Sequence, residues 1–145
     1  MYDKDLKFNE HLLAYCGLYC AQCSFKAAHD ENDAKHLVHL PFPFTLSPLS
    51  NYNCECCKGY CICGPCKIKP CAMEKHISSC ADCAQFPCML SNAFAADGMP
   101  HHKQAVNNLH AIRENGVDTW FEALKPSLQC PCGTKQTWYY TCSCE

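Results

Sequence analysis

Cysteine is the residue type in this chain whose number and spacing could do chemistry, and it is densest in Asn53 to Cys71, NCECCKGYCICGPCKIKPC. From Cys54 onward this run holds seven of the seventeen cysteines in eighteen residues. Between them stand Gly, Pro, Lys and Glu, so no apolar core can be written there and sulfur must organise the segment. The total is odd, and the pairs Cys54/Cys56, Cys56/Cys57, Cys61/Cys63, Cys130/Cys132 and Cys142/Cys144 are too close to bridge one another comfortably. Thiolates on metal are the expected chemistry.

A set of four thiolates closed around zinc is structural, whereas a catalytic zinc keeps a position open. Cys130, Cys132, Cys142 and Cys144, two C-x-C pairs flanking Thr137 to Thr141, form the most self-contained candidate site. Other sites are shared among Cys16, Cys20, Cys23, Cys54, Cys57, Cys61, Cys63, Cys66, Cys71, Cys80, Cys83 and Cys88, and spacing leaves their partners open. Seventeen cysteines would fill four tetrahedral sites with one to spare, so about three or four zinc ions per chain are expected. Each could add on the order of 10 kcal/mol of coupled binding and folding free energy, enough to replace a thin core.

Two copies of one pattern lie in the middle: Cys63-Gly-Pro-Cys66-Lys-Ile-Lys-Pro-Cys71 and Cys80-Ala-Asp-Cys83-Ala-Gln-Phe-Pro-Cys88. In each, proline precedes the third cysteine and a helix is expected to follow, since proline suits the first helical position. That places Cys71 and Cys88 in first turns, where unpaired N–H groups and the helix dipole favour a thiolate. The histidines carry no such spacing. His76, His101, His102 and His110 read first as surface or capping residues, with His101-His102 the pair to watch.

The elements that must hold these residues follow from apolar periodicity. Leu6, Phe8, Leu12, Leu13 and Tyr15 supply apolar cover from an N-terminal arm. Phe25, Ala28, Ala34, Leu37 and Val38 predict one broken helix over Ser24 to Leu40, with Asp30 or Asn32 as a cap partway along. Prolines 41, 43 and 48 then predict an irregular loop over 41–53. Phe86, Met89, Leu90, Ala93 and Phe94 predict the inward face of a helix stopped by Gly98. A helix from Pro100 carries Ala105, Val106, Leu109 and Ile112 inward and stops at Gly116. The next carries Val117, Trp120, Phe121 and Leu124, with Thr119 and Glu122 as a capping box. The expected fold is a small, metal-braced, alpha-rich domain over residues 1–126. A zinc-ribbon-like hairpin over 127–145 would be packed on it or appended to it, its strand residues the β-prone Thr137 to Thr141.

YCGLYCAQC, followed after a gap by CKIKPCAMEKHISSCADCAQFPC, resembles the small prokaryotic cysteine-rich family catalogued as domain of unknown function 3795, over roughly residues 14 to 95. The resemblance implies zinc binding through Cys16, Cys20, Cys23, Cys66, Cys71, Cys80, Cys83 and Cys88, and supplies no activity. Cys54-x-Cys56-Cys57 is denser than the family pattern.

The reading that follows is a zinc-binding protein-interaction module, using its helical half or the aromatic residues Trp138, Tyr139 and Tyr140. An iron-sulfur redox protein or enzyme is the alternative, because C-x3-C-x2-C at Cys16, Cys20 and Cys23 also holds a four-iron cluster in radical S-adenosylmethionine enzymes. Those enzymes need a barrel after the motif, and the ferredoxin spacing is missing. A metallothionein-like store is the third reading, and it leaves the amphipathic helices unexplained. No nucleophile elbow, Walker loop, Rossmann fingerprint or H-E-x-x-H helix is present. The net charge of -2 grows more negative once four thiolates meet one dication, which disfavours nucleic acid as a partner. No apolar run is long enough to span a bilayer. The charged start lacks an export signal, so a reducing cytoplasmic setting is expected.

Overall fold

The computed structural model describes residues 5–39, 56–58 and 66–142. Cys54, Cys61, Cys63 and Cys144, and the loop expected over 41–53, lie outside the described residues. Among the described residues the chain is helical with isolated β-bridges, and no helix is long and apolar enough to cross a membrane.

The N-terminal arm makes a short 3-10 turn over Glu10–Leu12, opened by the Asn9 side chain accepting from the His11 N–H at 3.0 Å. Leu13 then bridges to Tyr19, and the chain reverses between them at Gly17, where φ is +98°. This turn is tight for a reason beyond its own backbone. A Cβ built on Gly17 would lie 2.1 Å from the carbonyl oxygen of Ala105, so only glycine lets the chain pass this close to the neighbouring helix.

Helix α1 spans Ser24–Glu31, and the expected break is present. Asn32 ends α1 in the left-handed conformation, and Asp33, not Asp30, opens the 3-10 turn Ala34–Leu37 by accepting from the Lys35 N–H at 2.9 Å. The inward face differs from the periodicity after that break: Ala34 and Val38 are exposed, while His36 is wholly buried beside Leu37. Restarting the helix at Asp33 resets the register, so positions counted through the break no longer share a face.

Helices α2 (Ile68–Glu74) and α3 (Met89–Ala95) follow the two copies of the cysteine pattern, and the copies differ. In the first, the helix begins at Ile68, before the proline, which places Cys71 fourth in α2. In the second, Cys88 is the N-cap of α3, after a cis Phe86–Pro87 bond. Its backbone N–H donates to the Ser91 hydroxyl at 2.9 Å. Ser91 is therefore buried, Leu90 and Phe94 are half-buried, and Met89 is 82% exposed. The expected face through Met89 and Ala93 is thus turned by about one residue, because the Ser91 bond fixes the first turn.

Helix α4 spans Pro100–Asn115 and α5 spans Val117–Leu124, joined at Gly116 with φ +86°. Ala105, Val106 and Leu109 are buried and Ile112 packs at the edge of the core, as the periodicity predicts. Gly116 caps α5 in place of the expected Thr119/Glu122 box. Trp120, Phe121 and Leu124 pack on Leu13, Tyr19 and Leu128. One polar thread ties this end to the Gly17 turn: Trp120 Nε1 donates to Asn108 Oδ1 at 3.1 Å, and Asn108 Nδ2 donates to the Gly17 carbonyl at 3.0 Å.

The tail is not a strand-built ribbon among the described residues. Two successive tight reversals replace it, bridged at Gln129 with Lys135 and at Thr137 with Tyr140. Thr137 to Thr141, expected as strand, instead turns sharply, because its polar groups are recruited by the helical half. The Trp138 N–H donates to the Gln22 carbonyl at 3.0 Å, and the Tyr139 N–H to the Ser24 hydroxyl at 3.1 Å.

Candidate metal centres

In the tail, the first reversal is closed by the Cys130 N–H on the Thr134 carbonyl and the Gly133 N–H on the Cys130 carbonyl, both at 2.8 Å. Gly133 takes φ +94°, which lets the chain turn back immediately after the Cys130-Pro-Cys132 pair. Cys142 returns alongside. The three sulfur atoms of Cys130, Cys132 and Cys142 all lie within 4.8 Å of one another, and Cys132 and Cys142 are 3.7 Å apart. That separation is far beyond a disulfide bond of about 2.05 Å. It matches the edge of a sulfur tetrahedron, which is about 3.8 Å when metal–sulfur bonds are about 2.3 Å. The residues present therefore fit a thiolate metal centre, with Cys130 buried, Cys132 exposed and Cys144 outside the described residues.

Histidines hold this turn in place. Wholly buried His36 meets the Thr137 hydroxyl through Nδ1 at 3.1 Å and Glu31 through Nε2, while Ser24 and Thr137 share a hydrogen bond at 3.0 Å. His101 stacks on Trp138 with ring centroids 4.5 Å apart and shares a hydrogen bond with the Tyr139 hydroxyl at 3.0 Å. Burial pushes the His101 pKa down to about 4, helped by neighbouring His102 and opposed by Asp97. The expected pair is thus split in role: His101 is a neutral docking surface for the tail, and His102 pairs with Asp97 and stacks on Phe94. His76 and His110 are exposed.

Apart from Cys23, the other described cysteines gather in two neighbouring clusters, neither of which brings three sulfurs within 4.8 Å of one another. Cys16 and Cys20 are buried in one cluster with Cys56, against which Cys57 and Cys80 pack. Here the Cys57 N–H donates to Cys20 Sγ at 3.3 Å, and Cys56 Sγ lies 3.0 Å from His11 Nε2. Burial pushes the Cys16 thiol up to about 12, opposed by its hydrogen bond to Leu18, and nearby Cys66, Cys20 and Cys80 raise it further. A dication at such a place reverses the balance, because a coordinating thiol is deprotonated outright. Cys23 lies apart, packed with Phe25, Ala28 and Leu37.

Cys71, Cys80, Cys83 and Cys88 line one small cavity with Lys75 at its edge. Burial raises the Cys80 thiol to about 11, and the charges of Cys83, Cys88 and Cys71 raise it further. Cys88 is lowered, chiefly because the Ser91 N–H is directed at its sulfur. Lys75 donates to Cys83 Sγ at 3.4 Å and to Gln85 Oε1 at 2.6 Å. Among the described residues no disulfide joins any of the thirteen cysteines.

Spacing alone gave no sign of His11 beside Cys56, of Lys75 beside Cys83, or of His36 under the tail. All three contacts join segments that the sequence separates by unrelated residues. Only the position of Lys75, four after Cys71 and so on the same helical face, carried a local signal.

Comparison with curated proteins and with solved structures finds no match. The model of the family described as "Protein of unknown function (DUF3795)" matches residues 12–93, which include Cys16, Cys20, Cys23 and both copies of the repeated pattern. The chain belongs to that family.

Proposed function

We propose that this chain is a zinc-binding protein whose thiolate centres are structural, and that the domain they brace serves as a protein-interaction module. The observation that carries the zinc reading is the tail: Cys132 and Cys142 stand at a tetrahedral edge of 3.7 Å, with the Cys130 sulfur within 4.8 Å of both. Soft thiolates in a tetrahedral set favour zinc or iron–sulfur. The turn-and-helix setting after Cys23, with no barrel among the described residues, favours zinc. Closely spaced cysteines, with no disulfide among the described ones, suit a reducing, cytoplasmic setting.

The choice of protein as partner rests on what is left exposed. Trp138 and Tyr139 are engaged by His101, which removes the aromatic turn as a platform for bases. Met73 on α2 and Met89 on α3 are exposed, and methionine adapts well to a protein surface.

Metal content per chain, measured on protein purified without added metal, tests the zinc reading. Colourless protein containing zinc, and a Cys132→Ser variant carrying one ion fewer, are the expected results. Iron with labile sulfide, or no bound metal, overturns it.

A further inference from the structure

We propose that Cys132 and Cys142 are a redox-reactive pair, which hydrogen peroxide joins as a disulfide, and that joining them expels the metal of the tail centre. The second half of the inference rests on the reading that the tail holds zinc. The first half stands on the geometry of the pair.

Three sulfurs meet in the tail, and they offer three possible bonds. Cys130 and Cys132 are separated by Pro131 alone, too close in sequence to bridge one another comfortably. Cys130 is 3% exposed, and its N–H and carbonyl are both tied into the Gly133 reversal, so its sulfur is screened from an oxidant in solvent. Cys132 and Cys142 remain. Cys132 is exposed, Cys142 is half-buried, and their sulfurs lie 3.7 Å apart. Closing that gap to the disulfide length of about 2.05 Å is a small movement for two side chains at the surface.

Cys132 is the thiol that meets the oxidant. It is the more exposed of the two, and the Thr134 hydroxyl lies 3.1 Å from its sulfur. When Cys132 is a thiolate that hydroxyl is the donor, and a charge-assisted bond of this kind stabilises the nucleophilic form. Accessible thiolates beside a resolving thiol are the ones that oxidise reversibly.

The Cys132 thiolate attacks one peroxide oxygen, breaking the O–O bond and forming the S–O bond of a sulfenic acid, and the departing hydroxide takes a proton to leave as water. The Cys142 thiolate then attacks the Cys132 sulfur. The S–S bond forms, the S–O bond breaks, and a second hydroxide leaves, again protonated to water. The two sulfurs lose two electrons, the peroxide gains two, and solvent supplies two protons. Thiolates are the ligands that hold the metal, so it loses Cys132 and Cys142 together.

The disulfide preserves the loop. The turn from Thr137 to Tyr140 lies between Cys132 and Cys142, and it carries the Trp138 and Tyr139 N–H bonds to Gln22 and Ser24 and the His101 stack. Metal and disulfide close the same loop, so docking survives oxidation and an added thiol restores the ligands. The pair thus links metal release to peroxide without unfolding the tail. Disulfides in a reducing compartment are of this transient, sensing kind.

The test treats the zinc-loaded full chain with equimolar hydrogen peroxide, maps disulfides by peptide mass spectrometry and reads released zinc with a chromogenic chelator. The expected result is a Cys132–Cys142 bond formed first, one zinc ion released for each bond, Trp138 and Tyr139 amides still protected, and reversal by added thiol. Cys142→Ser removes the resolving thiol and should leave Cys132 as a sulfenic acid that dimedone traps. A first bond elsewhere, or first oxidation at Cys66, the other exposed thiol among the described residues, overturns the proposal. So does a Cys142→Ser chain in which Cys132 takes no dimedone. The expected bond formed with zinc retained overturns the expulsion. The same bond in a chain whose tail held no zinc beforehand withdraws the zinc reading and leaves the redox pair standing.

Discussion

The end of the molecule built by α4 and α5 is packed from aromatic and aliphatic side chains, and the end that carries the cysteines places thiols where such side chains would stand. At the first, Phe8, Tyr19, Trp120 and Phe121 form a closed set of edge-on and stacked rings with centroids 5.6 to 6.4 Å apart. Burying such rings stabilises a fold whether or not metal is bound. At the second, Cys16, Cys20 and Cys56 take core positions, and the helices α2 and α3 have seven residues each. Helices that short do not persist unaided. The difference teaches that the two ends should answer to different perturbations, although one chain links them.

Metal removal separates the two ends most sharply. Stripping zinc with a strong chelator under reducing conditions should cost on the order of 10 kcal/mol for each thiolate centre lost. Amide exchange measured by mass spectrometry should then accelerate in residues 66–99 and in the tail, while the α4–α5 amides stay protected. Equal acceleration throughout would break the comparison.

A smaller effect probes the joint between the ends. Gly17→Ala places a methyl 2.1 Å from the Ala105 carbonyl in a backbone of φ +98°. It should cost about 3 kcal/mol or more in denaturant unfolding, through strain and a clash with helix backbone. A near-neutral result would mean that α4 does not bear on the Cys16–Cys20 turn as described.

The smallest effect belongs to the docking of the tail on α4. His101 has its pKa lowered from 6.5 to about 4, so its neutral form is favoured in the folded state. Stability from this site is fully present above pH 6.5 and is lost as pH falls toward 4, because the unfolded chain takes up the proton first. Burial, His102, Asp97 and the Trp138 and Tyr139 rings face this imidazole. About 1–3 kcal/mol should be lost across that window. A His101→Gln variant should flatten this part of the melting-temperature profile, leaving the steeper acid loss caused by thiolate protonation. An unchanged profile would remove His101 from the account.

The carbon end was readable in advance, and the sulfur end only in outline. Ala105, Val106 and Leu109 on α4, and Trp120, Phe121 and Leu124 on α5, recur with the helical period, and periodicity reports which face is buried. The same logic misjudged α3, where the Ser91 hydroxyl bond at Cys88 sets the register and leaves Met89 in solvent. It also misjudged Thr137 to Thr141, whose β-prone composition yields to hydrogen bonds that the Trp138 and Tyr139 N–H groups donate to Gln22 and Ser24, more than a hundred residues away. The number and spacing of the cysteines pointed to metal chemistry, and the tail trio of Cys130, Cys132 and Cys142 is compatible with it. Spacing does not say which distant thiols meet, since that depends on how α2, the Cys80 turn and α3 converge. Cys71 illustrates the limit: its local pattern points to Cys66, and its cavity partners are Cys80, Cys83 and Cys88.

Zinc-edge X-ray absorption on the purified full chain tests the central claim most directly. A colourless sample with a first shell of sulfur alone, at about 2.3 Å and four atoms per metal, is the predicted result. A shell dominated by nitrogen or oxygen, or iron in place of zinc, would contradict it.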